Sequence, residues 1–201
     1  VGGNSEIHPH LVMAIYGALK DAIPDRISAF DGGTSELLAI GGIHPDTGEM
    51  FANLSNEGCG WGGRATKDGN DVLCIPNGNC AIAPIEVLET RYPILHREFS
   101  LHEGSGGAGR NRGGLGCIRE IEVRSEEMRV SAFIERNVIE PEGFFEGKPG
   151  KLSGFLVKVG DRAEYQTMKR AFNTACDGKF SDIYMYEGDL IRLVTSGGGG
   201  Y

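Results

Sequence analysis

The chain has 201 residues, 40% of them apolar and 24% charged, and its 20 Lys and Arg against 28 Asp and Glu give a net charge of −8. This acidic balance argues against a nucleic acid or an anionic membrane surface as partner, because both need clustered cations. No apolar run approaches the roughly 18 residues of a membrane-spanning helix, so no membrane contact is expected, and the length suits one large domain or two small ones.

In chain order, residues 4–20 predict a helix. Asn4 or Ser5 can cap it, and Ile7, Leu11, Ala14, Ile15, Ala18 and Leu19 form an apolar stripe expected to pack on a sheet. Lys20 sits in the last turn, and Pro24 stops continuation. Residues 37–40 and 50–54 read as short strands joined through the turn Pro45-Asp46-Thr47-Gly48, a hairpin. Residues 56–82 are polar and loop-like, and so long a stretch without regular structure is usually functional or disordered. The single Trp61 and the interleaved cysteines speak against disorder. A short helix entered at Pro84 follows and ends at Pro93. Alternating apolar and polar residues then predict strands over 94–101, 118–124, 128–134, 154–159 and 189–194. The expected fold is α+β: β-rich antiparallel sheets with glycine-rich turns, as a sandwich or barrel, and one or two packed helices. Residues 1–95 read as a helix–hairpin–loop region and 96–201 as a β-rich region.

Glycine is the unusual component, 32 residues, about twice the usual share. It follows no collagen period and is interleaved with Val, Ile and Leu, as in a sheet protein with many tight turns. Residues 104–109 fit GxGxxG, yet they lead into a strand rather than opening a helix, so a dinucleotide loop is not expected. Arg110 and Arg112 could still bind an anion there. The run at 197–200 allows close approach of a ligand, another chain or a neighbouring strand. Five cysteines (59, 74, 80, 117, 176) without CxxC spacing read as reduced thiols of a cytoplasmic protein. Cys74 and Cys80 make a poor zinc pair without further ligands, and five histidines include no HxxxH, so no metal site is expected in this stretch.

Loop 56–82 is the candidate site. Glu57, Asn77 and Asn79 are candidate catalytic groups, and Arg64 and Asn79 candidate substrate contacts, because the asparagines can orient a carbonyl or carboxylate. Cys74 or Cys80 could be a nucleophile only beside a base such as His44 or His96. The start at Val1 and the stop inside a glycine run read as a piece of a longer polypeptide.

Three stretches carry a resemblance: Ala83-Pro84-Ile85-Glu86-Val87-Leu88-Glu89-Thr90-Arg91-Tyr92-Pro93, the glycine-rich residues 104–116, and Ser196-Gly197-Gly198-Gly199-Gly200-Tyr201. With Val1-Gly2-Gly3-Asn4 and Gly32-Gly33-Thr34, they resemble the hydantoinase B/oxoprolinase family, over essentially the whole chain, as the C-terminal part of a B-type subunit. The resemblance implies a partner, a hydantoinase-A-like subunit with an actin-like ATPase fold, which holds ATP and Mg and phosphorylates a carbonyl oxygen of the substrate. The B-type subunit then completes hydrolysis or carboxylation. It also implies that any divalent metal is held N-terminal to these residues. Hydrolytic members usually carry His-Met-Thr-Asn-Thr before the Pro-Xaa-Glu helix. Here the stretch is Pro76-Asn77-Gly78-Asn79-Cys80, with Pro76 at the histidine, and Ser55 stands where an acid is expected, with Glu57 the nearest. These departures favour an ATP-dependent ketone carboxylase of the acetone or acetophenone type, with bicarbonate as co-substrate. A hydantoin- or oxoproline-type amidohydrolase subunit is the alternative, as is a scaffold whose chemistry lies elsewhere in the subunit.

Overall fold

Alternating burial drives the architecture. In β5 (Glu127–Phe133) and β9 (Leu190–Val194) every second side chain is buried, the pattern of a strand with one face on a core. The computed structural model describes residues 6–76, 78–161 and 163–201. Two antiparallel sheets form. The first has the order β2-β1-β5-β8, with β1 at Leu37–Ile43, β2 at Met50–Ser55 and β8 at Lys179–Tyr186. The second has the order β3-β4-β9-β6-β7, with β3 at Ile94–Leu101, β4 at Cys117–Val123, β6 at Gly154–Lys158 and β7 at Gln166–Thr167. The fold is therefore α+β, and of the two β architectures expected it is the sandwich. The first sheet joins strands from both halves of the chain.

The core lies between the sheets. Leu38, Ile40, Phe51, Met128, Val130 and Met185 from the first meet Ile121, Val123, Phe155, Val157, Ile191 and Leu193 from the second. Each such side chain contributes about 1.5–3 kcal/mol by leaving water. Helices α2 (Ile85–Arg91) and α3 (Met168–Phe172) add Leu88 and Met168 at its margin. The β1–β2 hairpin closes as expected, with His44 N donating to Glu49 O (2.8 Å) and Gly48 N to His44 O (2.8 Å).

Helix α1 (Ile7–Leu19) corrects one expectation. Its stripe does not pack on a sheet: Ile7, Leu11 and Ile15 are 58%, 56% and 55% exposed. Pro9 and Met13, on another face, are buried instead. Met13 is fixed by the turn at Gly33 and by Arg136, whose Nη2 lies 2.8 Å from Met13 Sδ. Asn4 and Ser5 lie outside the described residues, and Glu6 occupies the N-cap position. Among the described residues no helix is long and apolar enough to cross a membrane.

The glycines build a second core of main chain. Residues 196–201 run extended through its middle. Gly60 N and Gly63 N donate to Ser196 O (2.9 Å) and Gly199 O (2.8 Å). Gly198 N and Tyr201 N donate to Gly114 O (2.9 Å) and Asn111 O (2.9 Å), and Gly197 N and Gly200 N to Lys151 O (3.3 Å) and Lys148 O (2.9 Å). Each neighbour is met at a spacing of three on both chains, which is the signature of three residues per turn, as in polyproline II geometry. Side chains have no room: a Cβ at Gly113 would lie 1.9 Å from Gly198 O. The run at 197–200 is thus approached by neighbouring backbone, and residues 104–116 form a link that must pass close to it.

Candidate functional site

The turn 31–36 joins α1, the glycine core and both sheets. Glu36 is fully buried at φ 47°, a conformation that costs a non-glycine residue energy and is held only by firm surroundings. Thr34 Oγ1 accepts from Glu36 N (3.2 Å) and Glu135 N (3.1 Å). The Ser153 hydroxyl donates to Glu36 Oε1. Glu6, on the last residue before α1, accepts from Ser35 N at 2.8 Å through Oε1. Glu57 N donates to Ser35 O (3.1 Å), so the start of loop 56–82 is pinned to the same turn.

Buried charge concentrates here. Arg119 on β4 donates to Glu57 Oε1 at 2.5 Å, its guanidinium lies over the Phe99 ring at 4.7 Å, and both partners are 3% exposed. Burial pushes Glu57 up to about 7 against the pull of Arg119, and Asp31 up to about 6 against Arg136. Glu36 is raised well above the usual carboxylate range, first by burial and then by the nearby charge of Glu6, while the Ser153 hydroxyl opposes both. Glu6 is raised by burial, with Thr34 and Ser35 opposing. On β3, burial and the charge of Arg119 hold His96 below its ordinary value, although Glu89 Oε1 lies 3.3 Å from His96 Nδ1 and opposes them. Among the described residues, Glu6 Oε2, Glu36 Oε2 and Glu57 Oε2 carry no hydrogen-bond partner. Two carboxyls, Asp31 and Glu57, are thus pushed toward neutrality beside the guanidiniums of Arg136 and Arg119, the kind of arrangement that acid–base sites use.

One cleft reaches this cluster. About 480 Å³ in volume, it lies between α1 and the end of β5, lined by Ile7, Leu11 and Phe133 with Glu6, His10 and Glu135. His10 Nδ1 donates to Glu6 O at 2.6 Å. An apolar body with a few polar groups suits a small organic ligand. A wider cleft of about 880 Å³ lies at the β1–β2 hairpin, lined by Ile43, Met50, Phe51, Glu127 and Arg129 among others.

The residues singled out from the sequence are not brought together. Glu57 faces Arg119 and Glu36 in the interior. Arg64 is spent within its own loop, on Asp68 O (3.1 Å) and Asn70 Oδ1 (2.5 Å). Asn79 is exposed, at φ 46°. Asn77 lies outside the described residues. Arg112 is committed to Asp71, through Nη1 (2.8 Å) and Nη2 (3.2 Å), which ties the glycine-rich link to the loop. Cys59 and Cys117 are not nucleophiles: burial raises the first thiol well above its usual value and the second to about 12, with the charge of Glu57 adding at Cys117. His44 meets Asp46 N at the hairpin turn (3.2 Å) and His96 meets Glu89, while Cys74 and Cys80 have Asn56 beside them. Glu6, Glu36 and Arg119 were not expected. The one sequence signal was Gly32-Gly33-Thr34, whose flanking acids belong to the cluster. Among the described residues no three His, Cys, Asp or Glu side chains are arranged to hold a metal ion.

Comparison with known proteins shows the family and the fold of the chain. The Hydantoinase B/oxoprolinase family pattern matches residues 1–201. An uncharacterised protein of Methanocaldococcus jannaschii is 36% identical, over 99% of this chain and 32% of its own length. 5-oxoprolinase 1 of Arabidopsis thaliana is 33% identical over 76% of this chain and 11% of its own length. A putative B-type subunit of a D-/L-hydantoinase from Pseudomonas is 27% identical over 92% of this chain and 29% of its own. The chain therefore spans about a third or less of these relatives. Two solved structures share the fold. The ATP-dependent caprolactamase of Pseudomonas jessenii has a TM-score of 0.73 and 23% identity, over 93% of this chain and 32% of that one. Nucleotide-free acetone carboxylase, a structure concerned with ATP-dependent acetone carboxylation, has a TM-score of 0.65 and 17% identity, over 94% and 28%.

Proposed function

The chain belongs to the hydantoinase B/oxoprolinase family, and from that premise we propose that it forms part of the B-type side of an ATP-dependent enzyme that opens a cyclic amide. The observation that carries this reading is that relatives named for an activity, the oxoprolinase and the hydantoinase, match over 76% and 92% of the chain. The partner is a hydantoinase-A-like subunit that holds ATP with Mg. Transfer of the γ-phosphoryl group to the amide oxygen breaks its bond to ADP and makes the ring carbon electrophilic. Water then adds to that carbon and the ring C–N bond breaks, leaving an acyl phosphate, which a second water hydrolyses to the carboxylate with release of phosphate. The ring nitrogen must gain a proton and the attacking water must lose one. Glu6, which lines the apolar cleft and which burial holds toward the protonated form, is suited to store that proton, with the buried Glu36 behind it.

A specific feature favours ketone carboxylation as a second reading. Pro76 replaces the histidine expected of hydrolytic members, and Glu57, the nearest acid, is occupied by Arg119 rather than open to water. In that case the partner phosphorylates an enolate oxygen, and bicarbonate supplies the carbon that bonds to the substrate.

Phosphate release by the assembly separates the two. With ATP and Mg, the first reading expects release stimulated by 5-oxoproline, hydantoin or caprolactam without bicarbonate. Stimulation by acetone or acetophenone only, and only with bicarbonate, replaces it with the second. Release indifferent to every substrate overturns both.

A further inference from the structure

Two sulfurs of loop 56–82 meet outside the carboxyl cluster. Asn56 Nδ2 lies 3.9 Å from Cys74 Sγ and 3.6 Å from Cys80 Sγ, so both thiols converge on one amide. Cys80 Sγ also donates to Gly78 O at 3.2 Å. Gly78 makes the approach possible, because a Cβ there would sit 2.1 Å from Cys74 Sγ. The main chain holds the arrangement from two sides: Gly78 N donates to Ile75 O (2.8 Å), and the Trp61 indole donates to Cys74 O (2.8 Å). Cys80 is exposed and Cys74 half-buried. Burial first, and the adjacent Cys80 thiol after it, keep Cys74 in the thiol form. An exposed sulfur beside a shielded one is the order in which thiol–disulfide exchange proceeds.

We propose that Cys74 and Cys80 are a thiol modification site, which a low-molecular-weight disulfide such as oxidised glutathione converts to an intramolecular disulfide. The Cys80 thiolate attacks one sulfur of the reagent, whose S–S bond breaks and releases one glutathione thiolate. Cys74 then gives its proton to solvent and attacks Cys80 Sγ, and the second glutathione thiolate leaves. Two protein thiols are oxidised by two electrons, and one reagent disulfide is reduced by the same two. The preformed contact raises the effective concentration of one sulfur at the other above that in an unfolded chain.

The test equilibrates the purified protein with glutathione buffers of graded poise, blocks free thiols with an alkylating agent, and weighs the tryptic peptides. Peptide 68–91 contains Cys74 and Cys80 and no other cysteine, and peptide 171–179 contains Cys176 as internal control. The expected product is peptide 68–91 lighter by two hydrogens and unalkylated, formed with an equilibrium constant at least about tenfold above that of the urea-unfolded protein. G78A, which drives a methyl group into Cys74, is expected to lose that advantage while keeping the native circular dichroism spectrum. A native constant equal to the unfolded one overturns the proposal, and so does a peptide 68–91 that carries glutathione or two alkyl groups under oxidising poise.

Discussion

The Arg119 guanidinium bridges Glu57 and the face of Phe99, and so ties the loop that follows β2 to strands β3 and β4 of the second sheet. Both charges are out of water, so each depends on the other. Removing only Glu57 leaves an uncompensated buried cation, which costs about 3–5 kcal/mol. Glu57→Ala should therefore lower the urea midpoint severely, whereas Glu57→Leu combined with Arg119→Met should recover part of that loss. A double variant no better than Glu57→Ala would show that the pair holds more than its own charges.

Stability should fall as pH rises through neutrality. Asp31, Glu57 and Glu36 titrate in the folded protein above their unfolded values, chiefly through burial. For Asp31 and Glu57, between the ordinary carboxylate range and about 6 and about 7 respectively, the folded state holds protons that the unfolded chain has released, so their stabilising contribution is complete below that window and lost through it. Urea midpoints at pH 5 should exceed those at pH 8, and Asp31→Asn should flatten the slope.

Substitutions at glycine should divide by surroundings. Gly113→Ala would place a methyl 1.9 Å from Gly198 O in the main-chain core, and should abolish cooperative folding or cost more than about 4 kcal/mol. Gly154→Ala meets nothing within 4 Å in β6, and should be neutral or stabilising by about 0.5–1 kcal/mol. Thermal melts of the two variants check both outcomes.

Helix α1 offers a second contrast. Met13→Ala should cost about 2–5 kcal/mol, and Ile15→Ser should stay within about 0.5 kcal/mol in the isolated chain. Chemical denaturation measures both. Comparable losses would show that the apolar stripe is covered after all.

Regular structure was legible where a single periodicity decided it. Strands β4, β5 and β9 alternate because one face meets the core, and the β1–β2 hairpin announces itself by Pro45 and Gly48. The orientation of α1 was not legible, since periodicity reports an apolar stripe and not what lies against it. Strand β8 escaped because its burial is irregular around Asp182, at φ 53°, where its pairing with β5 shifts register. The carboxyl cluster escaped for a different reason. Glu6, Glu36 and Arg119 are far apart in sequence and meet only through the turn at 31–36, whereas Arg64 and Asn79 drew notice by sharing one polar loop.

The main-chain core also sets an order of events during synthesis. Phe30, Gly60, Gly63, Gly107, Asn111, Gly114, Phe144, Lys148 and Lys151 each find a main-chain partner on residues 196–201. Until a ribosome has delivered residues 196–201, these segments lack the extended stretch that passes between them. Long-range pairing of this kind is slow, so nascent chains should linger half-assembled, with unpaired amides along much of their length, and be the natural clients of chaperones.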